Sequence, residues 1–180
     1  MKILFIGGTG TISSAITRQL AAKEDCQLYL INRGTHASEV PANVITIVAD
    51  INDEADVARK LDGMMFDCVC DFIGFVPEQL ERDHRLFSGR TRQFMYISSA
   101  SAYAKPGRNY IITEGTSLVN PHWEYSRNKI ACENLLMKWY REEGFPVTIV
   151  RPSHTYCERS IPVGFHGTKG SWQVLKRMIE

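Results

Sequence analysis

Tyr125 and Lys129 stand four residues apart in the run YSRNK. On a helix that spacing sets the two side chains one above the other on the same face. An ammonium ion beside a phenol stabilises the phenolate. A phenol loses its proton in water at about 10, and bringing that toward neutrality takes roughly 3 to 4 kcal/mol of differential stabilisation. Tyrosine then becomes a usable general acid or base. The pattern Y-x-x-x-K is also common on solvent-facing helices, so it implies chemistry only where the fold delivers something to act on.

The same five residues hold a rival pattern, Ser126-x-x-Lys129, which resembles the serine-lysine nucleophile of penicillin-binding proteins. The companion S-D-N and K-T-G motifs are missing, and HGTKG near the carboxyl end is no substitute, so the hydrolase reading is set aside.

A means of delivery is written at the amino terminus, MKILFIGGTGTISSAITRQL. Ile3 to Ile6 are apolar on both faces, as a strand covered on both sides must be, and the run stops at Gly7. Ile12, Ala15, Ile16 and Leu20 then recur at helical spacing. A strand feeding a glycine turn into a helix exposes the first N–H groups of that helix at the positive end of its dipole, and such a corner attracts phosphate. Gly7 permits the tight turn, Gly10 lets a diphosphate approach, and the amides at Thr11 and Ile12 follow. The third small position of the dinucleotide motif is Ser13, a departure that argues for a looser corner. A glycine motif alone also fits an ordinary strand-helix turn. With the strand before and the helix after, the expectation is a bound dinucleotide.

The end of the second strand selects which dinucleotide. A carboxylate there would bond ribose hydroxyls, but this chain has neutral Asn32 followed by Arg33, whose cationic fork suits a phosphate. NADP is therefore favoured over NAD, unless Arg33 simply points to solvent. Asp50 and Ile51 end the third strand and are placed to bracket an adenine ring, or Asp50 caps the next helix.

These residues need a scaffold. QLYLIN, NVITIVAD, FDCVCDFIGF, RQFMYISS and PVTIVRP read as further strands. Between them, INDEADVARKL is helical with Asn52 as cap, VPEQLERDHRLFSG is a helix with Pro77 near its start and Gly89 at its end, and a long helix runs from Pro121 to Glu143, closed by Gly144. The alternation predicts an α/β chain, a doubly wound parallel sheet (Rossmann fold) with helices on both faces and ligands beyond the carboxyl ends of its strands.

Bulk properties narrow the function. The 180 residues are 44% hydrophobic and 23% charged, enough for one buried core. A formal net charge of +1 offers no electrostatic footprint for nucleic acid or an anionic membrane. The apolar start ends at Gly7 without a cleavage signal, and no run has the length of a membrane span, so the protein is expected in the cytoplasm. Five cysteines, Cys26, Cys68, Cys70, Cys132 and Cys157, are an odd number with Cys68 and Cys70 on one strand face. Reduced thiols are expected, and no metal site.

Taken in order, GGTGTIS, ADI, YISSASAY, YSRNK and RPSHTY make residues 2 to 157 resemble the extended short-chain dehydrogenase/reductase family, in particular its sugar-nucleotide epimerase and dehydratase branch. The resemblance implies an NAD(P)-dependent oxidoreductase in which Tyr125 takes the proton of a substrate hydroxyl while the carbon passes hydride to nicotinamide. In that family a Ser or Thr four positions before the tyrosine of an S-x-x-V-Y stretch holds the reacting oxygen. Counting back from Tyr103 gives Ser99, preferred over Ser98 and Ser101. The resemblance also implies that Lys129 holds the nicotinamide ribose, that Phe72, Ile73 and Gly74 run along the phosphates and ribose, and that Pro152 and Ser153 lie against the nicotinamide. The family often has Asn where this chain has His154, and Gly-Pro at Cys157-Glu158. His154 then either faces substrate or closes the strand end.

Residues 1–157 are thus expected to form the cofactor-binding domain. Residues 158–180 are expected to begin a truncated substrate-binding region, with Trp172, Leu175 and Ile179 as a partly uncovered apolar stripe that favours a homodimer. A naturally short relative is the alternative. The expected partner is a small molecule, a nucleotide sugar among the candidates. A different class of function, a regulatory or RNA-associated dinucleotide-binding module, is opposed by the retention of Ser99, Tyr125 and Lys129 and by the near-neutral charge.

Overall fold

The apolar runs pair into one six-stranded parallel sheet: β1 (Lys2–Ile6), β2 (Gln27–Asn32), β3 (Ile45–Val48), β4 (Cys68–Asp71), β5 (Phe94–Ile97) and β6 (Val147–Val150). The computed structural model describes residues 1–35, 39–107, 109–157 and 172–180, and of 172–175 the backbone only. The sheet order is β3-β2-β1-β4-β5-β6. From β1 the chain winds outward to β3 and then returns to β4 on the other side, so a crevice opens where β1 and β4 end.

Helices α1 (Ser13–Ala21), α2 (Glu54–Lys60), α3 (Pro77–Phe87) and α4 (Glu124–Glu143) cover the sheet, and α5 (Trp172–Ile179) lies near the carboxyl end. Strand alternation divides the core. Leu4 and Ile6 of β1 face a large cluster with Val57 of α2, Leu80 and Phe87 of α3, and Leu136 and Trp139 of α4. Ile3 and Phe5 face the opposite cluster, against which Ile12, Ile16 and Leu20 pack from the α1 side. Both faces are therefore covered, which is why the strands read as continuous apolar runs.

Several boundaries differ from the sequence reading. The run FDCVCDFIGF pairs only as far as Asp71, because the Asp71 carboxylate accepts the Ile73 N–H at 2.8 Å and turns the chain out of the sheet. The expected Asn52 cap is replaced by Asp53, whose carboxylate accepts the Asp56 N–H. Asn52 is instead held by Asp50 and Arg82. Helix α4 starts at Glu124 rather than Pro121, since the Asn120 side chain holds the preceding turn by accepting the His122 N–H and donating to the Ser101 carbonyl. It ends at Gly144 as expected.

The five cysteines are free thiols. Burial pushes Cys68 up to about 11 and Cys70 higher, which keeps both protonated. Among the described residues no helix is long and apolar enough to cross a membrane. The expected boundary at 158 lies outside the described residues, as do the side chains of Trp172 and Leu175; Ile179 is exposed.

Leu4 has no exposed surface and sits mid-strand in β1, which pairs on both sides. Leu4→Ala is expected to cost about 2–5 kcal/mol in stability, read from the midpoint of chemical denaturation.

Candidate active site

The corner between β1 and α1 contains glycines of two kinds. Gly7 has φ +84°, and a Cβ there would run into Ile73 Cγ2 at 2.5 Å, so packing and backbone both demand glycine. At Gly10 a Cβ would meet only Ser13 Oγ at 3.5 Å, an ordinary contact. Among the described residues nothing requires Gly10 to lack a side chain, which is what close approach by a ligand would explain. Helix α1 has no side-chain cap at its start, and the N–H groups of Thr11 and Ile12 take no partner among the described residues. Ser13, the departure from the motif, tightens the corner: its hydroxyl donates to the Gly7 carbonyl at 2.7 Å and accepts the Gly10 N–H at 2.8 Å. Thr17 adds a bond to the Gly8 carbonyl at 2.8 Å. Donors and shape here fit a diphosphate.

From this corner a cleft of about 650 Å³ runs along the carboxyl ends of the strands. Gly7, Gly10, Thr11, Ile12, Asn32, Arg33, Asp50, Ile51, Phe72 and Ile73 all line it. At one end Asn32 Oδ1 already accepts the Gly34 N–H at 2.8 Å, while Arg33 is exposed and has no ion-pair partner among the described residues. Asp50 bonds the backbone and side chain of Asn52 rather than capping α2. Thr9, Thr35, Phe75, Gln79 and Thr155 also line the cleft and were not singled out from sequence; Ser13 and Asn52, read there as a motif departure and a helix cap, line it too. Gln79 had a local signal: three residues inside the start of α3, its side chain accepts the N–H groups of Phe75 and Val76. Thr155 had none.

Beside the cleft, Lys129 is 1% exposed, and its ammonium donates to the carbonyls of Gly74 and Ile97, both at 2.7 Å. One N–H remains. The rings of Tyr96, Phe75 and Tyr125 lie 4.7, 4.9 and 5.7 Å from the nitrogen. Burial lowers the amine to about 8, against the opposing pull of Asp71, Cys132 and Glu133. Tyr125 is half-buried in the first turn of α4, flanked by Trp123 at 4.8 Å and Phe75 at 6.3 Å between ring centroids.

Ser99 caps a short 3-10 helix, 100–102, its hydroxyl accepting the Ser101 N–H at 3.1 Å. It is framed by buried neighbours. Ser98 donates to Glu133, on which Arg151 makes a bidentate pair at 2.9 and 2.7 Å, and Arg151 also donates to the Tyr103 hydroxyl. The Ala100 N–H bonds the Pro152 carbonyl at 2.9 Å, joining the Ser99 turn to the end of β6. Gly74 turns away from the cleft toward Lys129, and Ser99, Tyr125, Lys129, Pro152, Ser153 and His154 lie outside the cleft wall. Phe75 occupies the wall nearest Lys129, and His154 is exposed.

Sheet order, glycine corner and cleft define a doubly wound α/β domain of the Rossmann type. The chain belongs to the NAD dependent epimerase/dehydratase family, whose model matches residues 3–180. UDP-glucose 4-epimerase of Lactobacillus helveticus is 27% identical over 169 residues, 84% of this chain and 51% of that protein. Among solved structures, UDP-glucuronic acid 4-epimerase from Bacillus cereus, in complex with UDP-glucuronic acid and NAD, matches with a TM-score of 0.68 at 19% identity, covering 84% of this chain and 56% of that one. dTDP-glucose 4,6-dehydratase from Bacillus anthracis, in complex with NAD, matches at 0.70 and 19%, covering 84% and 54%. At such identities the structural likeness shows the fold. The chain spans about half the length of these relatives.

The two glycines are expected to separate on substitution. Gly7→Ala should destabilise the fold by about 1–3 kcal/mol, whereas Gly10→Ala should leave stability within about 0.5 kcal/mol and weaken dinucleotide binding about tenfold or more, as read by denaturation and by calorimetric titration.

Proposed function

We propose that the chain is the dinucleotide-binding part of an NAD(P)-dependent oxidoreductase that epimerises or dehydrates a nucleotide sugar by way of a carbinol or carbonyl carbon. The observation that carries this reading is the Lys129 ammonium held 5.7 Å from the Tyr125 ring, on one helix face beside the cleft. In this reading the amides at Thr11 and Ile12 bind a diphosphate that Gly10 lets approach over the turn at Gly7, Asp50 and Ile51 bracket the adenine, and Asn32 and Arg33 hold the adenosine ribose. Phe72, Ile73 and Gly74 follow the phosphates and second ribose, Lys129 contacts that ribose, and Pro152 and Ser153 back the nicotinamide. When bound, the dinucleotide supplies the acceptor and donor of hydride.

Tyr125 moves the proton of the substrate hydroxyl, with Lys129 favouring its anionic form. Ser99 accepts the Ser101 N–H, so its own hydroxyl proton remains to donate to the oxygen on which charge develops. His154, exposed beyond Ser153, is assigned to substrate contact. The neutral Asn32 and the exposed Arg33, without an ion-pair partner among the described residues, support NADP as the preferred dinucleotide. Residues 1–157 form the cofactor domain in this reading, 158–180 begin the substrate region, and the protein works as a cytoplasmic homodimer.

In the full-length protein, Tyr125→Phe should lower the rate of hydride transfer by about 10²-fold or more while dinucleotide affinity stays within a few-fold; unchanged turnover would refute the assignment. Arg33→Ala should weaken NADP(H) binding about tenfold and leave NAD(H) binding unchanged, compared by titrating both.

A further inference from the structure

The Lys129 ammonium is enclosed by the carbonyls of Gly74 and Ile97 and by the rings of Tyr96, Phe75 and Tyr125. Of these groups only Phe75 also lines the cleft. The centre of its ring lies 4.9 Å from the nitrogen and 6.3 Å from the centre of the Tyr125 ring. Phe75 is 45% exposed, whereas Lys129 is 1% exposed. The ring therefore meets the open cleft and the buried ammonium at once, and it covers the side of Lys129 from which a ligand in the cleft would come. An ammonium has three N–H groups to donate. Two go to carbonyls, and the third has only ring faces as partners among the described residues.

The backbone on either side of Phe75 is pinned. The Gly74 carbonyl accepts from the Lys129 ammonium at 2.7 Å and from the Tyr96 hydroxyl at 3.2 Å. The Phe75 N–H donates to Gln79 Oε1 at 2.6 Å, and the Val76 N–H donates to the same oxygen at 3.3 Å. Pro77, with its fixed φ, then opens α3. What remains free is rotation about the side-chain bonds of Phe75, and a half-exposed ring changes rotamer without breaking a backbone hydrogen bond. The attraction of the ammonium for the ring face holds it in place, and it acts across a site that water does not reach.

We propose that Phe75 is a side-chain gate between the cleft and the Tyr125–Lys129 pair, its ring screening the ammonium until the second ribose of a dinucleotide displaces it from Lys129. The inference rests on the reading above in which Lys129 meets that ribose. A ribose hydroxyl offers the third N–H an oxygen acceptor, which a ring face does not. The exchange carries a cost. A dinucleotide binds fully only to the fraction of molecules in which the ring is turned aside, so its apparent affinity is reduced by that fraction. A ligand that ends at the diphosphate corner never meets the gate, and a reagent that attacks the Lys129 amine from the cleft meets it as the dinucleotide does.

The test compares the wild-type full-length protein with Phe75→Ala. The ring is half-exposed, so its removal should leave the fold intact, checked by circular dichroism. Acetic anhydride labelling without ligand, read peptide by peptide by mass spectrometry, should modify Lys129 about fivefold or more faster in Phe75→Ala. The exposed Lys138 of the same helix is the internal standard. NADPH and NADH should bind Phe75→Ala more tightly by a similar factor, about fivefold or more, in calorimetric titration. ADP, which has no second ribose, should bind the two proteins within about twofold of each other, since a ligand with equal affinity for both ring positions does not sense the gate. Equal labelling of Lys129 in the two proteins, a dinucleotide affinity unchanged or weaker in Phe75→Ala, or an equal gain for ADP would overturn the proposal. Failure of the functional reading would look different: the dinucleotides bind as stated and no hydride is transferred.

Discussion

Lys129 carries its ammonium where water does not reach, and an ion so placed must find its hydrogen-bond partners inside the protein. The partners are carbonyls from two separate places, Gly74 after β4 and Ile97 at the end of β5, while the lysine itself comes from α4. One charge thus ties three elements together at the carboxyl edge of the sheet. A small displacement of any of them would leave a charged donor unsatisfied, at a cost of about 1–3 kcal/mol or more. Gly74 answers to the same constraint. Its carbonyl faces Lys129, and a Cβ added to it would collide with the Asp71 carboxyl and crowd Leu80 and Tyr96, so no side chain fits.

A second buried group of charges frames the neighbouring strand ends. Glu133 of α4 receives Ser98 from the end of β5 and Arg151 from the end of β6, and Arg151 reaches the Tyr103 hydroxyl. The main bonds of Ser99 are therefore local, and its hydroxyl proton is left free while its surroundings are rigid. The molecule separates two tasks. Buried ion pairs and carboxyl groups set the geometry, and the loops above them, from Gly7 to Ser13 and from Phe72 to Phe75, form the cleft. Such a division gives a reacting constellation the support it needs to hold a geometry before a ligand arrives.

Much of the fold was legible because its signals are local. An apolar run covered on both faces, a change from strand to helical period, and Gly144 after a long amphipathic run each depend on a few neighbouring residues, and all the expected strands form. The glycine corner was legible for the same reason. Boundaries were less so. Whether Asn52 or Asp53 capped α2 depended on Arg82, thirty residues away, claiming the Asn52 carbonyl, and the start of α4 was delayed by an Asn120 bond to Ser101. The cleft lining was read in part: Phe72 and Ile73 belong to it, but Gly74 faces Lys129 instead, and Thr155 joins it from the segment after β6.

Ser13 shows the limit from the other side. As a substitution in a glycine motif it reads as a defect, and in the folded corner its hydroxyl bonds both Gly7 and Gly10. By itself the sequence determined the order of strands and helices, the glycine turn between β1 and α1 and the placing of Tyr125 and Lys129 on one helix face, since each follows from spacing along one or two elements. Only the tertiary structure decided what surrounds Lys129, that Asp71 and Asp83 are both buried, and that Phe75 stands at the cleft wall. Those depend on burial and on contacts between segments distant in the chain, and a one-dimensional pattern carries no measure of either.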